Sequence, residues 1–153
     1  YKNPDSNNTP LLKILSTADD LDAFGYTGVY RYLEIYLARG IDPGIIGYEI
    51  IRNASGRFTN FESGFGNYPS LVEKHKSRFL ILLNLMGRHN RDAEIKKAQN
   101  ESGNYPAGIV QLVSDMIRYN LPPGKIKTLS VKYADKKIVT DFIEGLSQEL
   151  IEQ

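Results

Sequence analysis

What most constrains this chain is its punctuation. Apolar stripes at helical spacing recur along it, opened by prolines or capping residues and closed by glycines or prolines. Thr9 and Pro10 suit a helix start, and Leu11, Leu12, Ile14 and Leu15 follow as an apolar face. Residues 26–39 carry Val29, Leu33, Ile35, Tyr36 and Leu37 and stop at Gly40, a favoured residue just past a helix. Asp42-Pro43 restarts a helix through Ile45, Ile46, Tyr48, Ile50 and Ile51. Residues 55–69, with Gly56, Gly64 and Gly66, read as a long loop with room for a short helix. Pro69 opens a further helix that buries Leu71, Val72, His75, Phe79, Leu82, Leu83 and Met86.

The later part follows the same grammar less evenly. Residues 88–99 are highly charged, and Ile95 stands nearly alone, so they read as an exposed helix or a connector. Residues 106–119 form a helix with Ile109, Val110, Val113 and Ile117, and Leu121-Pro122-Pro123-Gly124 ends it. Residues 125–133 alternate too weakly for a strand and read as loop. Asp135 is the expected cap of a last helix carrying Ile138, Val139, Phe142, Ile143, Leu146, Leu150 and Ile151. The sum is an all-α multi-helix bundle of about six helices, with no internal repeat. Residues 1–90 are expected to form one helical unit and residues 91–153 a helical extension packed on it.

Composition narrows the function classes. With 153 residues and 41% apolar content the chain can bury one core. A net charge of +1 gives no specific nucleic-acid signal. The longest apolar run, residues 79–83, is far too short to span a membrane. No cysteine is present, which excludes disulfides, zinc–thiolate sites and a cysteine nucleophile and is compatible with the cytoplasmic location expected here. The sequons at Asn8, Asn53 and Asn100 read as chance. The start at Tyr1 and the polar stretch after it read as an interior segment, so a missing upstream part is expected.

The candidate chemistry lies in Ser16-Thr17-Ala18-Asp19-Asp20-Leu21-Asp22-Ala23-Phe24-Gly25. Packed like charges on a helix repel by a few tenths of a kcal/mol per pair, roughly. Solvent, a basic partner or a bound cation must offset that. On a helix Asp19 and Asp22 share a face and Asp20 points elsewhere. Carboxylates suit Mg²⁺ or Mn²⁺, and carboxylate–imidazole sets suit Mn²⁺ or Fe. One helix supplies too few ligands, and the only histidines, His75 and His89, show no ligand-pair spacing. A short acidic run is more often a solvated or salt-bridged face than a metal site.

Residues 17–25, followed by Gly28-Val29-Tyr30-Arg31, resemble the last signature of the HD superfamily of metal-dependent phosphohydrolases. That pattern reads roughly D-A-D-R-L-D-A-x-G-x-x-G-I-x-R. Ala18, Asp19, Leu21, Asp22, Ala23, Gly25, Gly28 and Arg31 match it, and Val29 nearly so. The resemblance covers about fifteen residues and implies an HD-domain-like helical bundle. It implies a divalent metal (Mn, Mg, Fe or similar) held by His, a His-Asp pair and a final Asp, with Asp19 as that final ligand. Asp22 then becomes a supporting carboxylate and Arg31 a phosphate or carboxylate partner. The implied reaction is metal-assisted hydrolysis of a small phosphorylated substrate, a phosphate ester such as a nucleotide. Two positions depart from the pattern: Asp20 stands where arginine is usual, and Thr17 where the first aspartate stands. No His-Asp dipeptide occurs in these residues, so the chain reads as the later half of such a domain, inactive alone and able to form a homo-oligomer. The alternative is a non-catalytic helical regulatory or protein-interaction domain on an HD scaffold.

Other residues carry blander readings. His75 reads as a hydrogen-bonded core histidine, and His89 as part of a basic patch ending a helix. Gly64-Phe65-Gly66-Asn67 lacks the Gly-Lys-Ser/Thr ending of a nucleotide loop. Tyr26, Tyr30, Tyr32 and Tyr36 read as packing residues. The lysines between Lys125 and Lys137 read as solvated surface.

Overall fold

The computed structural model describes residues 10–99 and 108–152. The Thr9 cap, Pro106 and the sequons at Asn8 and Asn100 lie outside the described residues. Six α-helices follow in order: α1 (Pro10–Leu21), α2 (Gly25–Ala38), α3 (Ile46–Phe65), α4 (Pro69–Ala98), α5 (Gly108–Arg118) and α6 (Lys137–Glu152). Two 3-10 segments, Pro123–Leu129 and Val131–Tyr133, join α5 to α6. Among the described residues there is no strand. The all-α bundle of about six helices is therefore what the chain forms.

Helix α2 is the centre of the fold. It packs against α4, α5 and α6, with α3 beside it on α4. Val29, Leu33 and Tyr30 on α2 are fully or almost fully buried, as are Ile46 and Ile50 on α3 and Leu82 and Met86 on α4. Phe58 of α3 stacks on Phe79 of α4 with ring centroids 4.6 Å apart. Phe24 meets both rings edge-on at 5.7 Å, a favoured aromatic geometry.

The ends of α2 and α5 use one device. Gly40 N–H bonds Leu37 O and Ile41 N–H bonds Tyr36 O, with Gly40 at φ +74°. This is a Schellman stop, which a left-handed residue makes possible. Asn120 does the same for α5 at φ +52°, one residue before the expected Leu121-Pro122 stop.

Several boundaries differ from the sequence reading. Residues 55–65 are helix, not loop. The apolar positions Ile46, Ile50, Ala54, Phe58 and Phe61 continue at spacings of three and four through Gly56, and all are buried. Burying that stripe outweighs the roughly 1 kcal/mol that a helical glycine costs. Residues 88–98 are not a connector but the last turns of α4, where His89 and Asn90 are still buried. The proposed unit boundary at residues 90/91 falls inside this one helix. Asp42 does cap a turn, accepting Gly44 N–H at 2.7 Å, yet α3 begins only at Ile46. Residues 125–133 are mostly 3-10 turns, bringing Ile126 and Tyr133 into the core. Asp135 is not part of α6, which starts at Lys137.

The 3-10 segment is tied down by a buried carboxylate. Asp115 of α5 is fully buried and accepts bonds from Gln111 at 2.9 Å, Tyr133 Oη at 2.6 Å and Lys132 Nζ at 2.5 Å. Burial pushes its carboxyl up, but those bonds and the Lys132 charge hold it below the usual carboxylate value.

Candidate functional site

The acidic run lies where α1 ends and α2 begins, and the junction is pinned from both sides. Arg78 of α4 donates through Nη1 to Leu21 O and through Nη2 to Phe24 O, both at 2.9 Å. A cation thus meets the carbonyl end of α1. Glu149 of α6 meets the amide end of α2. It accepts from Tyr26 N–H at 3.0 Å, Thr27 N–H at 2.9 Å and Thr27 Oγ1 at 2.8 Å. Phe24 has no side chain able to cap, so a carboxylate more than a hundred residues away takes that role. Each charge sits at the helix end whose dipole favours it.

The glycines of the run follow from this geometry. Gly25 has φ +73°, and a Cβ there would lie 2.3 Å from Glu149 Oε1. A Cβ on Gly28 would lie 2.3 Å from the Ala23 backbone, where the chain folds back on itself. Ala23 and Phe24 are buried and Leu21 packs against the core.

The three predicted site residues are brought together. Asp19, Asp22 and Arg31 line one small cleft of about 60 Å³, closed by Gly28, Tyr32 and Arg57. Their arrangement differs from the expected helical face. Helix α1 ends at Leu21, so Asp22 stands in the turn, where Arg31 Nη1 donates to its Oδ2 at 2.9 Å. Asp19 and Asp20, expected to diverge, converge on Arg57. Its Nη1 lies 3.1 Å from Asp19 Oδ2 and 3.2 Å from Asp20 Oδ1. Burial raises the Asp20 carboxyl against the opposing pull of Arg57, and the Asp19 charge adds to the rise. Asp19 is 63% exposed at its side chain, Asp20 21%.

Arg57 is the functional neighbour that sequence reading missed, since residues 55–69 read as a long loop. Recognising α3 as continuous would have found it: Asn53 and Arg57 are one helical turn apart. Arg57 Nε donates to Asn53 Oδ1 at 3.1 Å, and Tyr32 Oη donates to the same oxygen at 2.7 Å. Burial pushes the Tyr32 hydroxyl up to about 12, so it stays a donor at neutral pH. The offset to the acidic run is thus an internal arginine for each part of it.

Neither histidine joins the cleft. His75 is buried against the edge of Phe61, with Arg78 Nη1 donating toward its Nδ1 at 3.4 Å. His89 is not part of a surface patch; it is buried, with Nε2 3.5 Å from Pro43 O. Among the described residues no group of three or more His, Asp or Glu can hold a metal ion. Asp19 is a single carboxylate and Asp22 is already paired, so these residues do not by themselves fit a metal.

No protein-family model, curated protein or solved structure matches this chain. Among the described residues no helix is long and apolar enough to cross a membrane.

Proposed function

We propose that this chain is the later half of an HD-type metal-dependent phosphohydrolase domain and that Asp19 is its last metal ligand. One observation carries the reading: within the resembling run, Asp19 is the matched polar residue that neither packs in the core nor has an arginine to itself, its Arg57 being shared with Asp20. Leu21, Ala23, Phe24 and Val29 fill the core, Gly25 and Gly28 permit the close approaches, and Asp22 and Arg31 pair with each other. Asp19, like Asp22, is exposed at the cleft, and its one arginine also serves Asp20. The reading requires the early histidine and the His-Asp pair from residues outside these 153. With it come a divalent metal, a small phosphate ester such as a nucleotide as substrate, a cytoplasmic location and a homo-oligomeric state.

A second reading, the non-catalytic regulatory or interaction domain, is favoured by the arginines that already satisfy the carboxylates. Metal analysis and a phosphatase substrate panel on the full-length protein separate the two. The first reading expects a divalent ion in the wild type, lost with activity in Asp19→Ala and kept in Asp22→Asn. Retained metal and hydrolysis in Asp19→Ala refute the ligand assignment. A wild type that holds no metal and hydrolyses nothing favours the second reading.

A further inference from the structure

A long open groove runs between α4 and α6 and adjoins the cleft at Asp22. Two adjoining cavities of about 520 and 600 Å³ make it up, and Tyr26, Ile81 and Gly145 line both. Tyr26 of α2 forms its floor. A Cβ on Gly145 would lie 2.2 Å from the Tyr26 ring, so the glycine lets α6 sit directly on that floor.

The walls have a regular register. On α4 the groove is lined between Lys74 and Arg88, and among its residues Lys74, Arg78, Ile81, Leu85 and Arg88 share one face at steps of four and three. On α6 it is lined between Asp141 and Glu152, where Asp141, Gly145, Gln148 and Glu152 share one face at steps of four, three and four. That spacing sets one face of each helix along the trough; most of its positions are charged and only Ile81 and Leu85 are large and apolar, so wall charge and not knobs-into-holes packing selects the occupant. The α4 wall spans about 21 Å at the helical rise, roughly four turns of a partner helix.

The two walls carry opposite charge. Lys74, Arg78 and Arg88 stand on α4; Asp141, Glu144 and Glu152 stand on α6. They do not neutralise each other across the gap, and among the described residues no ion pair engages Lys74, Arg88 or Glu144. Between them lie Ile81, the buried Leu85 and Leu80, the last 52% exposed. We propose that this groove docks an amphipathic α-helix of a partner protein, its apolar strip on Tyr26, Ile81 and Leu85, its acidic edge toward α4 and its basic edge toward α6. Such a helix covers the apolar floor and pairs both walls at once, which a uniformly charged helix does not. This does not rest on the phosphohydrolase reading, since neither Asp19 nor a metal takes part; Asp22 borders both the cleft and the groove, and the test leaves it unchanged.

Fluorescein-labelled synthetic helical peptides of about 18 residues test it by anisotropy. Each carries leucines at the same three-four spacing. One has a Glu edge and a Lys edge, one has Lys on both edges, one has Glu on both, and a scrambled peptide has no strip. The mixed-edge peptide is expected to bind roughly tenfold tighter than either single-charge peptide. In Lys74→Glu/Arg88→Glu the preference should pass to the all-Lys peptide, and in Glu144→Lys/Glu152→Lys to the all-Glu peptide. Apart from the exposed bond that Glu152 accepts from Gln148, these side chains hold nothing else in the fold, and circular dichroism checks that both variants stay helical. No binding of any striped peptide up to about 1 mM overturns the proposal, and so do affinities blind to edge charge or to the wall reversals. Self-association of the protein that Lys74→Glu/Arg88→Glu dissolves, without peptide binding, also overturns it and makes a second copy the occupant.

Discussion

The junction between α1 and α2 predicts a coupling between two residues 124 positions apart in the sequence numbering, Gly25 and Glu149. Replacing Glu149 with Ala removes three hydrogen bonds to the first turn of α2, two of them from backbone amides. Losing a helix N-cap costs about 1 kcal/mol, up to about 2. Losing a carboxylate from a helix N-terminus adds about 0.5 to 1. The groove beside Glu149 admits water, which returns part of this. The net expectation is about 2 kcal/mol, or a fall of roughly 4–8 °C in melting temperature for a chain of this size. Gly25→Ala should cost more. Its φ of +73° strains any side chain by about 1–2 kcal/mol, and its Cβ also displaces the Glu149 carboxylate. In the Glu149→Ala background that second part has already been lost. The double variant should therefore be more stable than the sum of the singles predicts, by about 1–2 kcal/mol. Urea denaturation of the four proteins measures it. Additivity within about 0.5 kcal/mol refutes the remote cap, because the two residues would then act on separate structures.

Gly56→Ala tests the continuity of α3. The site is exposed with open space around it, so the variant should gain about 0.5–1 kcal/mol of stability by urea denaturation, and a loss would return residues 55–65 to loop. Asp115→Ala should cost about 3 kcal/mol in the same assay, since it strands the buried Tyr133 hydroxyl and unpairs Lys132; a change under about 1 kcal/mol contradicts the network. Burial lowers both histidines, aided at His75 by Arg78 and Lys74 and at His89 by Lys96 against Asp92 and the Pro43 carbonyl. The unfolded chain then binds more protons below about pH 6.5, so stability should be full above that value and fall from there toward about pH 5. A flat urea midpoint between about pH 7.5 and 5 sinks that assignment.

Much of the bundle was legible because its helices are closed by local chemistry. Gly40 and Pro69 act through their own φ angles, and a single sequence carries that information. The helix through residues 55–65 was not legible because glycine is a local signal and the Phe58–Phe79 stack is a tertiary one. The stripe continued through Gly56, and the tertiary term won. His89 was misread for the same reason: its flanking arginines are local, while its burial comes from α4 lying on the chain near Pro43. The cleft residues Asp19, Asp22 and Arg31 were legible as a group from their spacing. Their partners were not, since Arg57, Arg78 and Glu149 reach the junction from three other helices.

Those three residues also change what the resembling run can be taken to say. A pattern of alanine, leucine and glycines around aspartates can be kept for chemistry or for shape, and here most of it serves shape. Gly25 exists beside Glu149, Gly28 beside the Ala23 carbonyl, and Asp22 beside Arg31. Any chain that must reverse direction between two helices under an arginine and a glutamate needs much the same residues. Neither that demand nor the packing of the core reaches Asp19. Its carboxylate is exposed, and its partner Arg57 also reaches the better-buried Asp20 at 3.2 Å and Asn53 at 3.1 Å. A partly screened pair of this kind contributes less than about 1 kcal/mol. Removing Asp19 should therefore leave the fold intact, and any loss of function in that variant reports on chemistry and not on folding.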